Sequence, residues 1–237
     1  MITMIGTGHV FKIAEQVSFI VKHTWPDALL IELDEKRYDA LTNDRGEKKG
    51  LENSPKLYRD NAEYQIRMSE KSGVKPGSEM LAAIIEAKTL GSAIICIDLD
   101  AEQSMKEIEE GMTFSERMRF SFSSISDNLF GRRKINTTQK KFATDEEEYV
   151  RRMRKRFPTL VKKLIDERNV HMAERIREAS EKYNNMVVVV GDAHVRGICE
   201  ILDDIKIEKI RLADMLDEES MNKIRKRIWN GRTEARE

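Results

Sequence analysis

Two of the four histidines share one local setting. Gly6-Thr7-Gly8-His9 and Gly191-Asp192-Ala193-His194 are both Gly-x-x-His, and each follows an apolar run, "MITMI" in one case and "MVVVV" in the other. Carboxylates recur at comparable places along the chain: Glu32 and Asp34 with Arg37 just beyond, Asp98 and Asp100, and Asp192. A pair of imidazoles and a carboxylate is a sufficient ligand set for a catalytic divalent cation that keeps a position open for water. The same groups without a metal can do acid and base work, one imidazole activating water while a carboxylate orients it. A glycine three residues before the histidine lets the backbone turn sharply or approach a ligand closely. A single histidine is more often a hydrogen-bonded structural residue, so the weight rests on the pair. His23 and His171 fall inside helical stretches and read as packed or solvated.

The elements that must position these residues follow from hydrophobic patterning. Apolar runs predict strands at Ile2–Ile5, Ala28–Leu33, Ala93–Ile97, Met186–Val190 and Lys209–Leu212, most of them greasy throughout, as strands buried on both faces are. Val10, Ile13, Val17, Ile20 and Val21 have the three-and-four spacing of a helix that stops before Pro26. "SEMLAAIIEAKTLG" predicts a second helix with Ser78 as N-cap and Gly91 as stop, and "VRGICEILDDI" a third. Strands alternating with helices predict an α/β fold, a mainly parallel sheet flanked by helices in one domain over residues 1–237. A long, charged, helical insertion at about 101–183 interrupts the rhythm, and its "MTFSERMRFSFSSISDNLFG" reads as an amphipathic pair of helices. In such a sheet ligands bind beyond the carboxyl ends of the strands, which is where both histidines fall.

Composition narrows the functional classes. Forty-two basic residues balance 42 acidic ones, so no global field draws the chain to nucleic acid. Residues 116–163 are locally basic, with 14 Lys/Arg against six Asp/Glu, but "RRMRKR" lacks a groove-reading or aromatic partner and reads as an exposed helix face. Cys96 and Cys199 sit in apolar surroundings, the pattern of reduced thiols in an intracellular protein. No signal-peptide pattern and no apolar stretch of about 18 residues is present, so a cytoplasmic location, or the cytoplasmic face of a membrane, is expected. "GTGHVF" imitates part of a dinucleotide fingerprint but has Phe11 and Lys12 where small residues are needed.

The paired Gly-x-x-His motifs resemble those of the TraB/PrgY family, which is related to the Tiki proteins and more remotely to erythromycin-esterase-like and ChaN-like proteins. "IELDEKRYDAL", "GSEMLAAIIEAKTLGSAIICIDLD" and "LIDERNVHMAERI" resemble further segments of that family in its archaeal form, so the likeness runs from about residue 2 to about 212. The resemblance implies a metal-dependent hydrolase of the peptidase kind, as Tiki-type relatives are, or a protein that binds and sequesters a peptide or small molecule, since TraB/PrgY proteins are associated with pheromone shutdown. It implies His9, Glu32 and His194 as ligands of manganese, cobalt or zinc, with Arg37, Glu79, Asp100 and Arg168 around them. Arg37 or Arg168 would stabilise the oxyanion. Family members read Asp-Arg-Asp where this chain has Asp98-Leu99-Asp100, so one charge is missing. They also often continue into C-terminal membrane helices, which implies a membrane tether beyond this chain; self-association is left open.

Overall fold

The computed structural model describes residues 1–8, 11–43, 54–60, 63, 73–119 and 146–234. Five strands, β1 (Ile2–Thr7), β2 (Ala28–Ile31), β3 (Ala93–Cys96), β4 (Met186–Gly191) and β5 (Ile207–Ile210), form one sheet in the order β3-β2-β4-β1-β5, and every pairing is parallel. β1, β2 and β4 are buried almost end to end, which is why their sequences carry no polar alternation. Register aligns Ile2 with Met186 and Ile207, and Ala28 with Met186 and Ala93, so the carboxyl ends stand close to one level. β5 lies two residues earlier than the sequence predicts. Ile207 pairs with Ile2, and the strand ends where the Arg211 N–H turns to donate to the Asp214 carboxylate and start a helix.

Successive residues of each strand point to opposite faces, and two cores result. On one face Ile5, Leu29, Ile31, Val187 and Val189 meet α1 (Ala14–Thr24) and α3 (Ser78–Leu90). On the other Met4, Leu30, Val188 and Val190 meet α7 (Arg168–Ser180) and α8 (Asp192–Ile201). α2 (Glu35–Thr42) follows β2, and α9 (Leu212–Leu216) and α10 (Glu218–Glu234) close the first face after β5. α1 ends before Pro26, as its spacing predicts, and Gly91 (φ 74) ends α3. The cap of α3 is Gly77 at φ 73, not Ser78. A left-handed cap costs glycine little, which leaves Ser78 as the first helical residue.

The expected insertion is α4 (Ala101–Gly111), α5 (Glu146–Arg156), α6 (Pro158–Val161) and a π-helical stretch Lys162–Glu167, with α7 following directly. Ile108, Met112, Phe157 and Leu160 form a small core of their own. The buried Glu116 carboxylate accepts from Thr113 N and Thr159 N and from both threonine hydroxyls, tying two helix starts together. Burial would raise the Glu116 carboxyl, but these bonds hold it below the usual range. α7, within the expected insertion, packs Met172, Ala173, Ile176 and Ala179 into the sheet's second core, because they form one stripe of its surface. Residues 114–119 of the expected amphipathic pair are helical, and 120–145 lie outside the described residues. Arg154 in the basic run pairs with Asp166 on an exposed face. Cys96 and Cys199 are free thiols, and burial together with the neighbouring Glu35 pushes Cys96 up to about 12. No helix among the described residues is long and apolar enough to cross a membrane.

Topology places a crevice on both sides of β4. The chain leaves β1 and β2 toward the face covered by α1 and α3, but leaves β4 toward the face covered by α8. Where neighbouring strands feed connections to opposite faces, the loops part and leave a crevice at the carboxyl ends. His194 and Glu32 sit at one such point.

Candidate active site

Glu32 follows β2 directly and is buried, its backbone N–H still donating to Val189 O (3.0 Å). One of its carboxylate oxygens, Oε2, accepts from Gly191 N (2.5 Å). The other, Oε1, lies 3.4 Å from His194 Nε2 and accepts from Arg168 Nη2 (2.5 Å). His194 is buried in the first turn of α8, and its Nδ1 meets Asn169 Oδ1 at 2.7 Å. Arg168 also grips Asp98 with two donors, Nε to Oδ1 (2.8 Å) and Nη2 to Oδ2 (2.6 Å), while Nη1 donates to Leu164 O. Arg37 reaches the same Asp98 Oδ2 (2.5 Å) through Nη2 and binds Asp34 through Nε (2.7 Å). The result is a chain of alternating charge, Asp34–Arg37–Asp98–Arg168–Glu32, laid across the ends of β3 and β2, with His194 from the end of β4 beside its last carboxylate.

Burial works against the charges on both arginines, but Glu32 and Asp98 outweigh it at Arg168, and Asp98 and Asp34 outweigh it at Arg37. Both guanidinium groups are held above their ordinary values. Burial would likewise raise Asp34, yet the Arg37 charge and bonds from Arg37 N and Ala101 N hold it below the usual carboxylate range. Asp34 thereby caps α2 and anchors the start of α4. The two arginines differ in what they have left to offer. The Arg168 side chain is 14% exposed and Nε, Nη1 and Nη2 are all engaged, whereas Arg37 is 30% exposed and, among the described residues, no bond uses its Nη1.

The two motif glycines serve close approach. A Cβ on Gly6 would lie 2.1 Å from Asp192 Oδ1, and one on Gly191 would lie 3.3 Å from Glu32 Oε2. Gly191 has φ −60, so contact with Glu32 and not a special backbone conformation accounts for it. Asp192 in turn accepts from Arg211 Nε and Nη2 (2.9 Å each) and from Leu212 N (2.9 Å), which fastens the start of α8 to that of α9.

A model of the TraB/PrgY/gumN family matches residues 1–213. The chain belongs to that family. It is also 30% identical over 235 residues to the uncharacterized protein MJ1365 of Methanocaldococcus jannaschii, an alignment that covers 95% of this chain and 58% of that protein. The chain therefore spans a little over half the length of this relative.

In this TraB/PrgY/gumN chain the structure brings Glu32, His194, Arg168 and Arg37 into one cluster. His9 lies outside the described residues. Asp100 faces outward: it caps α4 by accepting from Gln103 N (3.0 Å) and pairs with the exposed Lys36 (2.8 Å). Glu79 is fully buried in the first turn of α3. Two residues outside the expected site set belong to the cluster. Asp98, with 2% of its side chain exposed, is where both arginines converge, and Asn169 is the partner of His194. Asn169 leaves a trace in the sequence, because it continues the buried stripe of Met172, Ala173 and Ile176 at the same spacing.

Among the described residues no group of three His, Cys, Asp or Glu side chains is gathered as metal ligands. The pair that is present has suitable geometry. Two ligand atoms at about 2.1 Å from a tetrahedral ion stand about 3.4 Å apart, and Glu32 Oε1 and His194 Nε2 are 3.4 Å apart. These two residues fit one divalent cation, provided Arg168 yields Glu32 Oε1.

Proposed function

We propose that this chain is a metal-dependent hydrolase of peptides, in which Glu32, His194 and His9 hold one manganese, cobalt or zinc ion. The observation that carries the reading is the 3.4 Å approach of Glu32 Oε1 to His194 Nε2 at a strand-end crevice. A divalent cation held by these residues would supply Lewis acidity toward water and a peptide carbonyl. The chain's own residues supply the rest. Gly191 N and Arg168 orient the Glu32 carboxylate, and Asp98 offers Arg168 a two-pronged hold that survives if Glu32 turns to a cation. Arg37, with Nη1 left over, is placed to bind a peptide carbonyl or carboxylate oxygen.

A cleft of about 530 Å³ lined by Lys36, Asp100, Lys106 and Glu110 among others opens beside the helix starts that Asp34 joins. It is open and charged, and none of its lining residues belongs to the Glu32–His194 cluster. The second reading, capture of a peptide without turnover, draws support from the Arg168–Glu32 ion pair, which neutralises the carboxylate a cation would need.

The test is metal analysis of the purified protein, followed by incubation with a mixed peptide library in manganese, cobalt or zinc. The hydrolase reading expects about one ion per chain and cleavage that Glu32→Gln and His194→Ala both abolish. Retention of peptides without cleavage under every metal, weakened by Arg37→Ala, would establish the capture reading instead.

A further inference from the structure

The π-helical stretch Lys162–Glu167 delivers two consecutive residues to the strand ends: Arg168, which holds Glu32 and Asp98, and Asn169, which meets His194. We propose that Asn169 is a positioning residue for His194. Its amide oxygen fixes Nδ1 as the protonated ring nitrogen, and that turns the Nε2 lone pair toward Glu32. The assignment builds on the metal reading above for its purpose, but not for its geometry.

Three observations carry it. The contact is short (2.7 Å) and both residues are buried, so water does not compete for either ring nitrogen or amide. An amide oxygen only accepts, so the ring nitrogen facing it must donate, and a neutral imidazole has one N–H to give. In the neutral ring the other nitrogen, Nε2, then carries the lone pair that would bind a cation, 3.4 Å from Glu32 Oε1. Third, the space for the amide is built by a neighbour. Gly197, one turn along α8 from His194, has no side chain, and a Cβ there would lie 2.1 Å from Asn169 Nδ2. Gly197 is needed because Asn169 crosses between α7 and α8 to reach the ring. A second partner on the far nitrogen is what metal-ligating histidines generally have, since it sets both tautomer and ring orientation.

The test uses the full chain. The His194 tautomer is read by long-range 1H–15N NMR on metal-free protein at a pH where the ring is neutral, and affinity for manganese, cobalt and zinc is read by titration. Wild type and Asn169→Asp, which keeps the acceptor, should show the Nδ1–H form. Asn169→Ala should lose that single form, and its metal affinity should fall about 10- to 100-fold. Gly197→Ala should displace the amide and do the same. The double variant Asn169→Ala/Gly197→Ala removes the clash and fills part of the hole, so it separates packing from positioning. It should recover thermal stability but neither the tautomer nor the affinity. An Nε2–H tautomer in the wild type, or a double variant that keeps the Nδ1–H form and full affinity, would overturn the assignment. A wild type with the Nδ1–H form that binds none of the three metals removes the metal reading and leaves Asn169 in its role.

Discussion

Replacing Arg168 by methionine tests whether the alternating charges hold the strand ends together. Methionine keeps much of the length and apolar stem, so the main loss is the guanidinium. That group makes three bonds to two buried carboxylates: Nε and Nη2 to Asp98, and Nη2 to Glu32. Removing one partner of a buried ion pair costs about 3–5 kcal/mol, because the remaining charge is left in a poor solvent. Here the loss is softened, since Asp98 keeps Arg37 and Glu32 keeps Gly191 N. We expect about 3 kcal/mol at neutral pH, measured as a shift of the urea midpoint at unchanged slope. Asp98→Asn should cost about 2 kcal/mol, because Arg168 retains Glu32 and Arg37 retains Asp34. The double variant should fall short of the sum by about 1.5 kcal/mol or more, as directly coupled residues do. A cost below about 1 kcal/mol for Arg168→Met, or additivity within about 0.5 kcal/mol, would refute the view that this network joins β2, β3 and α7.

Asp34→Ala removes the cap of α2, the Arg37 contact and the tie to Ala101 N, and should cost about 3 kcal/mol at neutral pH, of which Asn in its place restores about 1. The folded pKa of Asp34 lies below its ordinary value, so its contribution is present above about pH 4 and is lost as the pH falls through the folded value. Urea unfolding from pH 3 to 7 should show the wild-type advantage shrinking on acidification, and an advantage that grows would contradict the sign. Gly6→Ala drives a methyl group against Asp192, whose oxygens are pinned by Arg211 and Leu212 N and yield poorly. A loss of about 2–3 kcal/mol, or about 5–10 °C in Tm, is expected. Calorimetry should find most of that loss absent when the same change is made in an Asp192→Ala background.

What could be read from the sequence divides along the range of the forces involved. Strands β1 to β4 and, unlike the starts of the same two helices, the C-terminal stops of α1 and α3 announce themselves because burial on both faces and helical spacing are local patterns. The same holds for Glu32 and His194, which stand at fixed offsets from apolar runs. Asp98 and Asp100 look equivalent in "IDLD", yet one receives two guanidinium groups and the other faces solvent. A local clue did separate them. Asp100 is followed three residues later by Gln103, the spacing of a helix start, which assigns it to capping and leaves Asp98 for the interior. No such clue announces the π-helical stretch that aims Arg168 and Asn169, since an added residue per turn depends on what the helix packs against. β5 was displaced because its register is set by Ile2, more than 200 positions away in the chain.

The strand order has a consequence for assembly. β1 pairs only with β4 and β5, whose first residues are Met186 and Ile207, so the first strand made has no partner in the next 178 residues that follow Thr7. At a synthesis rate of about 5–20 residues per second, that is a wait of about 10–40 s. β2 and β3 can pair earlier, but β4 is the strand that joins them to β1. The last piece to enter the sheet's centre is thus the one that carries His194. The sheet's centre and the site are completed in a single late step, and a nascent chain halted before it would present β1 as a greasy, unpaired strand to whatever chaperone or protease is near.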